Sequence, residues 1–141
     1  MKAQAKRTSQ ISESGYLALA SFRHALRNFL HFSADAARAA GLSAPQHQAL
    51  LAIKGLSTRE QVSIGRLAER LFLRHHSTVE MVDRLVKKRL LKRSPSKEDR
   101  RKVLVSLTVQ GEALIKRLSA AHLDELRRIG PELRRWLEML N

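Results

Sequence analysis

The chain has 141 residues, which is enough for one domain with a buried core and too few for a domain with a separate catalytic module. Its 27 Lys and Arg residues against 13 Asp and Glu residues give a formal net charge of +14, which favours a polyanionic partner such as nucleic acid or an acidic membrane. The sequence has no cysteine, which excludes disulfides, thiolate zinc sites and sensing by cysteine oxidation, and agrees with a cytoplasmic location.

The chain begins with a short basic segment, residues 1–11, which lacks apolar periodicity. We predict that it is a disordered arm. The apolar positions after it are interrupted by Arg23, His24 and Arg27, so they form neither a signal peptide nor a membrane span. We therefore expect no membrane partner.

A long helix is predicted from residue 12 to about residue 40, ending at Gly41. Its apolar positions recur at steps of three and four residues: Tyr16, Leu19, Phe22, Leu26, Phe29 and Leu30. A second helix follows Ser43, which forms a capping box with Gln46, and ends near Gly55.

Two short helices separated by a tight turn come next. Ser63 caps the third predicted helix, whose buried side is Ile64, Leu67, Ala68 and Leu71. After a break at residues 72–74, the fourth predicted helix faces the core with Val79, Val82, Leu85 and Val86. This pair indicates a helix-turn-helix.

The hydrophobic period then changes to that of strands. Residues 102–107 are rich in β-branched side chains, and residues 90–94 are a plausible partner strand. The charged tip between them, residues 95–101, completes a hairpin, in which Asp99 is expected to form the turn. Three side chains are expected to anchor the hairpin to the core: Val103, Val105 and Leu107.

Thr108 is predicted to cap a fifth helix, which Gly130 and Pro131 end. A sixth helix follows, with an apolar side at steps of three and four residues: Leu133, Trp136, Leu137 and Leu140.

Positive charge concentrates between residues 66 and 102, where thirteen Lys or Arg stand against five acids. The start of the fourth helix carries Arg74, His75, His76, Ser77 and Thr78, and Glu80, Arg84 and Lys87 follow about one turn apart. A helix fits the major groove of B-DNA, and its N-terminus attracts a phosphate. This helix is therefore the predicted reading element.

The hairpin tip is the second basic element, with Lys97, Arg100, Arg101 and Lys102. A basic finger suits the phosphate backbone or a narrow minor groove, where the negative potential attracts arginine. A reading helix beside a basic finger is typical of a winged helix, and the predicted partner is double-stranded DNA.

Three stretches resemble the MarR family of bacterial and archaeal regulators: Ile64–Leu71, Val82–Lys88, and Asp99–Thr108 together with Gly111. The third contains Asp-x-Arg, five residues and Leu-Thr, which is the wing signature of that family. The resemblance implies that Arg101 enters the minor groove and that Ser77 and Thr78 lie on the reading helix. It also implies a dimer formed by the first, fifth and sixth helices.

This sequence departs from the family pattern at two positions. The family commonly has an acid where Arg74 stands, able to pair with the wing arginine, and a glycine where Arg89 stands. The first difference removes an expected brace of the wing, and the second removes the residue that usually ends the reading helix.

The predicted fold is mainly α with a small β-hairpin wing. Residues 12–42 and 109–141 are assigned to dimerisation, and residues 43–108 to a winged helix that binds DNA. We expect a homodimeric, sequence-specific regulator that acts as a repressor on a palindromic operator and is released by a small aromatic or phenolic effector. The alternative is a non-specific architectural DNA-binding or interaction module without an effector response.

Other kinds of site were weighed against these. The adjacent His75 and His76 point about 100° apart and cannot readily share a metal ion, and no clustered carboxylate supports a site at His24, His31 and His122. Aromatic residues, namely Phe22, Phe29, Phe32 and Trp136, could line an effector pocket or simply pack in a core. No nucleophile elbow or phosphate loop is present. We therefore expect no metal, cofactor or enzymatic activity.

Overall fold

The computed structural model describes residues 10–140, which form five helices and three strands. In chain order these are α1 (Glu13–Ala39), α2 (Ala44–Leu56), β1 (Val62–Ser63), α3 (Ile64–Leu71), α4 (His75–Lys87), β2 (Leu91–Pro95), β3 (Val103–Leu107) and α5 (Val109–Met139). The predicted fold, mainly helical with a small hairpin, is confirmed. Residues 1–9 of the predicted basic arm lie outside the described residues.

The contacts of the chain divide it into two compact units. Among the described residues, one unit comprises residues 10–33 together with residues 121–140, and the other is Ala34–Ala120. The second unit contains a core to which every element from α2 to α5 contributes: Leu50, Ile53, Val62, Leu67, Val82, Leu85, Leu91, Val105 and Ile115. Burying each of these side chains contributes about 1.5–3 kcal/mol, so this core holds the helix-turn-helix and the hairpin together.

The boundary between α1 and α2 is set by local backbone chemistry. Gly41 has a φ of 80°, in the left-handed region, and the Leu42 N–H donates to the Ala37 carbonyl over 2.9 Å, which ends α1. The Ser43 hydroxyl then accepts from the Gln46 N–H, while the Gln46 side chain accepts from the Ser43 N–H. The predicted capping box is confirmed.

The predicted hairpin is confirmed, and a third strand joins it. β3 lies in the middle, between β2 and the two-residue strand β1, with Val62 opposite Val105. A strand of two residues is too short to show a periodic pattern in the sequence. Val105 is buried, but Val103 is 40% exposed because it pairs with Pro95 at the tip end of the hairpin. The prediction that Val103 anchors the hairpin is therefore wrong.

α5 runs without interruption through Pro131, so the predicted break at Gly130 and Pro131 and the separate sixth helix are wrong. A proline inside a helix removes its own hydrogen bond to the carbonyl four residues before it, and the bonds on either side keep the helix continuous. The predicted cap is confirmed, since the Thr108 hydroxyl accepts from the Gly111 N–H over 3.0 Å. Among residues 10–140, neither α5 nor any other helix is long and apolar enough to cross a membrane.

Candidate nucleic-acid interface

The α4 helix has a buried side and a charged, exposed side. The buried side chains are Thr78, Met81, Val82 and Leu85. The opposite side carries exposed polar residues at steps of three and four, which we call the α4 stripe: His76, Glu80, Arg84 and Lys87. A helix with its side chains is about 10–12 Å wide and fits the major groove of B-DNA. The α4 stripe is thus the part of this helix that is available to a nucleic acid.

The start of α4 offers backbone donors to an anion. Arg74 occupies the N-cap position, but its side chain makes no hydrogen bond to the first turn. The first N–H groups therefore have no side-chain cap, and such groups attract a phosphate. Just before this point Phe72 has a φ of 54°, a left-handed conformation that ends α3 and turns the chain into α4.

The structure corrects one predicted DNA contact. Thr78 is fully buried, and its hydroxyl donates to the Arg74 carbonyl over 2.9 Å, so it cannot reach a base. Its position places it on the same side of α4 as Val82, four residues later, which faces the core. The other predicted residues of this helix remain at the surface: half-buried Ser77 and exposed Arg74, His75, His76 and Arg84.

The turn between β2 and β3, residues 96–102, is held by its own hydrogen bonds, and we call it the wing tip. The Ser96 N–H donates to the Lys102 carbonyl over 3.1 Å, and the Asp99 N–H donates to the Ser96 hydroxyl over 3.3 Å. The Asp99 carboxylate accepts from the Arg101 N–H over 3.0 Å, which confirms its expected role in the turn. The wing tip presents the four predicted cations to solvent: Lys97, Arg100, Arg101 and Lys102.

An ion pair joins α4 to the wing. Arg93 of β2 donates to the Asp83 carboxylate of α4, and their side chains are 44% and 42% exposed. A pair this exposed contributes about 0–1 kcal/mol to stability, so its main effect is on orientation. Sequence reasoning missed this pair, because no spacing rule links residues in different elements. Arg74, where the family commonly has an acid, makes no ion pair with any residue between 10 and 140.

The end of α4 is joined to the start of α5. Arg89 has a φ of 62°, and the Leu90 N–H donates to the Leu85 carbonyl over 3.0 Å, which ends α4 without a glycine. The Thr108 hydroxyl donates to the Arg89 carbonyl over 2.6 Å, and its N–H donates to the Leu90 carbonyl over 3.1 Å. A Cβ atom on Gly111 would lie 2.2 Å from the Leu90 carbonyl oxygen. These contacts fix the position at which the chain leaves α4 and enters β2.

Three of the residues considered as metal ligands or pocket residues pack against one another: Phe29, Phe32 and His122. His122 Nε2 and Ser33 Oγ are hydrogen-bonded over 2.8 Å. The His122 ring also meets Phe29 and Phe32 edge-on, with centroid distances of 5.8 and 5.3 Å. Within residues 10–140 no three His, Asp or Glu side chains are grouped so that they could hold a metal ion.

A groove of about 760 Å³ lies between α2 and α3. Its apolar lining includes Leu51, Ala52, Leu56 and Leu71, and three arginines also line it: Arg59, Arg66 and Arg70. The Arg66 side chain donates to Glu60 over 2.8 Å, and this hydrogen bond raises the pKa of the Arg66 guanidinium. The groove combines apolar surface with three arginines and the carboxylate of Glu60.

Residues 40–102 match the model of the MarR family. The structure is similar to that of the RV1404 protein from Mycobacterium tuberculosis, with 27% identity and a TM-score of 0.67 over 86% of this chain and 82% of that chain. It is also similar to AbsC, a MarR family transcriptional regulator from Streptomyces coelicolor, with 16% identity and a TM-score of 0.69 over 88% and 83% of the two chains.

A third similar structure is a variant of MarR from E. coli complexed with operator DNA, with 22% identity and a TM-score of 0.59 over 83% of this chain and 75% of that chain. No match was found among the curated proteins. The matched family segment contains the helix-turn-helix, β2 and the whole wing tip.

Proposed function

We propose that this chain is a member of the MarR family of winged helix-turn-helix transcriptional regulators and that it binds double-stranded DNA through α4 and the wing. The observation that carries the proposal is the exposed α4 stripe beside a basic wing tip, joined by the ion pair between Asp83 and Arg93. α4 lies in the major groove, and Arg101 of the wing tip lies in the adjacent minor groove. The cations along α4 and the wing tip neutralise phosphates.

We further propose that the chain acts as a homodimer. The unit that contains both ends of the described chain exposes many large apolar side chains: Tyr16, Leu17, Leu19, Leu30, Leu123, Leu137 and Leu140. Exposed apolar surface of this extent favours association, because its burial contributes about 25 cal/mol per Å². A twofold dimer presents two reading helices about 34–36 Å apart, one turn of DNA, and therefore recognises an inverted repeat.

The proposed regulation is repression that a small aromatic or phenolic ligand relieves. The groove between α2 and α3 lies in the same unit as α4, and α3 packs against α4, so a ligand that changes the packing of α3 changes the position of the reading helix. The groove between α2 and α3 supports such a ligand, since its volume of about 760 Å³ and its apolar and arginine lining suit an aromatic anion.

Selection of bound fragments from a random duplex pool at near-physiological salt tests the proposal. The expected result is an inverted repeat with half-sites about ten base pairs apart, centre to centre. The affinity for that repeat should exceed the affinity for random duplexes by about a thousandfold or more. Recovery of no motif would instead support a non-specific architectural module.

The effector is tested on the same selected duplex. Adding benzoate or a simple phenol should weaken binding by the wild type, and Leu51→Glu should remove this response, because it places a negative charge in the lining of the groove. An equal response of both proteins would place the ligand elsewhere.

A further inference from the structure

One member of the α4 stripe has the wrong charge for a phosphate contact. Glu80 is exposed, and it lies four residues after His76 and four before Arg84, on the side of α4 opposite the core. Arg84 and Lys87 follow it on α4, and the wing that is joined to this helix is basic as well. A carboxylate at this place repels phosphates and lowers non-specific affinity for DNA.

Glu80 also has no partner within the described part of the protein. Most carboxylates of Ala34–Ala120 form an ion pair or accept a hydrogen bond: Asp35, Glu60, Glu69, Asp83, Asp99 and Glu112. Glu80, and Glu98 in the wing tip, form no ion pair with any residue between 10 and 140 and accept no hydrogen bond from one. Arg84 has the spacing for an ion pair with Glu80, but no such pair forms. Both oxygens of Glu80 are therefore available to an external donor.

The chemistry of the major groove limits what that donor can be. An ionised carboxylate only accepts hydrogen bonds. Guanine presents two acceptors and thymine presents one acceptor and a methyl group, so both disfavour it. Adenine places an acceptor beside its amino group, whereas cytosine presents only the N4 amino donor. Cytosine is the base whose own edge matches Glu80 best.

We propose that Glu80 is a specificity-determining residue, whose carboxylate accepts a hydrogen bond from the N4 amino group of one cytosine in each half-site. This inference rests on the proposed function, because it requires α4 to lie in the major groove. It explains why a carboxylate stands in the α4 stripe: the contact discriminates between bases instead of adding to affinity for the backbone.

The test repeats the duplex selection with the wild type, Glu80→Gln and Glu98→Gln. Each variant loses one exposed, unpaired negative charge on the DNA-binding unit, so both should bind random duplexes more tightly to a similar extent. Only Glu80→Gln should change the motif, since an amide pairs best with adenine through its N6 and N7 atoms. We expect the preferred base at one position of each half-site to change from cytosine to adenine, with a loss of about tenfold in discrimination for cytosine.

Three other outcomes would overturn the inference. If the wild type is selective and Glu80→Gln selects the same motif, the role of Glu80 is overturned and the proposed function stands. The same change of motif in Glu98→Gln would show that charge, and not a base contact, sets the preference. A wild type without any base preference would overturn the proposed function together with the inference. Matching thermal unfolding curves of the three proteins show that folding does not explain the result.

Discussion

The substitution Gly111→Ala tests how closely the start of α5 is packed against the end of the reading helix. A Cβ atom there would lie 2.2 Å from the Leu90 carbonyl oxygen and 3.1 Å from a methyl group of Leu107. The Leu90 oxygen is itself held by the Thr108 N–H over 3.1 Å. Because the closest atom belongs to the backbone, rotation of a side chain cannot relieve the contact in Gly111→Ala.

The size of the effect follows from these distances. An ordinary contact of this kind is at least 3.4 Å, so the Leu90 carbonyl must retreat by roughly 1 Å. Overpacking of a well-packed site costs about 1–3 kcal/mol, and weakening the hydrogen bond from Thr108 costs about 1 kcal/mol more. The higher helix propensity of alanine returns less than about 1 kcal/mol. We expect Gly111→Ala to lower the free energy of unfolding by about 3 kcal/mol and Tm by roughly 10 °C.

Urea and thermal unfolding followed by circular dichroism measure this change. Gly55→Ala in α2 is the matched control, because its Cβ atom would meet no atom within 4 Å. The control should be unchanged or up to about 1 kcal/mol more stable, as expected for alanine in a helix. If Gly111→Ala were as stable as the control, the close packing of α5 on Leu90 described above would be refuted.

Three further predictions concern the wing and the reading helix. In fluorescence anisotropy titrations, Arg101→Ala should weaken DNA binding and reduce the magnitude of the slope of log affinity against log salt concentration by about 0.9, the value of one phosphate contact. The control Lys116→Ala removes an equal charge from α5 and should leave this slope unchanged. Thr78→Val should cost about 1 kcal/mol in urea unfolding, since it removes a buried hydroxyl bonded to the Arg74 carbonyl, and should leave the selected DNA motif unchanged; a changed motif would contradict the burial of Thr78. Arg89→Gly should raise the free energy of unfolding by about 0.5–1 kcal/mol, because glycine adopts a φ of 62° without strain, and an unchanged midpoint in urea would show that Arg89 is not strained.

Signals confined to a few residues predicted most of the helix boundaries. The ends at Gly41, Ser43, Ser63 and Thr108 depend on side chains or backbone angles within about three residues, so the sequence contains all that is needed. The hairpin and its turn at Asp99 were predicted for the same reason.

Features that depend on tertiary contacts were not predicted. The polarity of Thr78 suggests a surface residue, yet its hydroxyl bonds within its own helix, and this allows it to occupy a core position. β1 is defined only by its pairing with β3, and the ion pair between Asp83 and Arg93 depends on how the wing packs beside α4. Pro131 shows the converse, since a strong local signal for a break does not end a long helix.

The central claim is that two copies of this chain read an inverted repeat through α4 and the wing. The most direct measurement compares affinity for the selected repeat with affinity for the same repeat after five base pairs are inserted between its half-sites. An insertion of this length turns one half-site by about half a helical turn, so a dimer can engage only one half-site with its reading helices. The account predicts two chains per duplex and a loss of affinity of at least about a hundredfold. Equal affinity for both duplexes would contradict it.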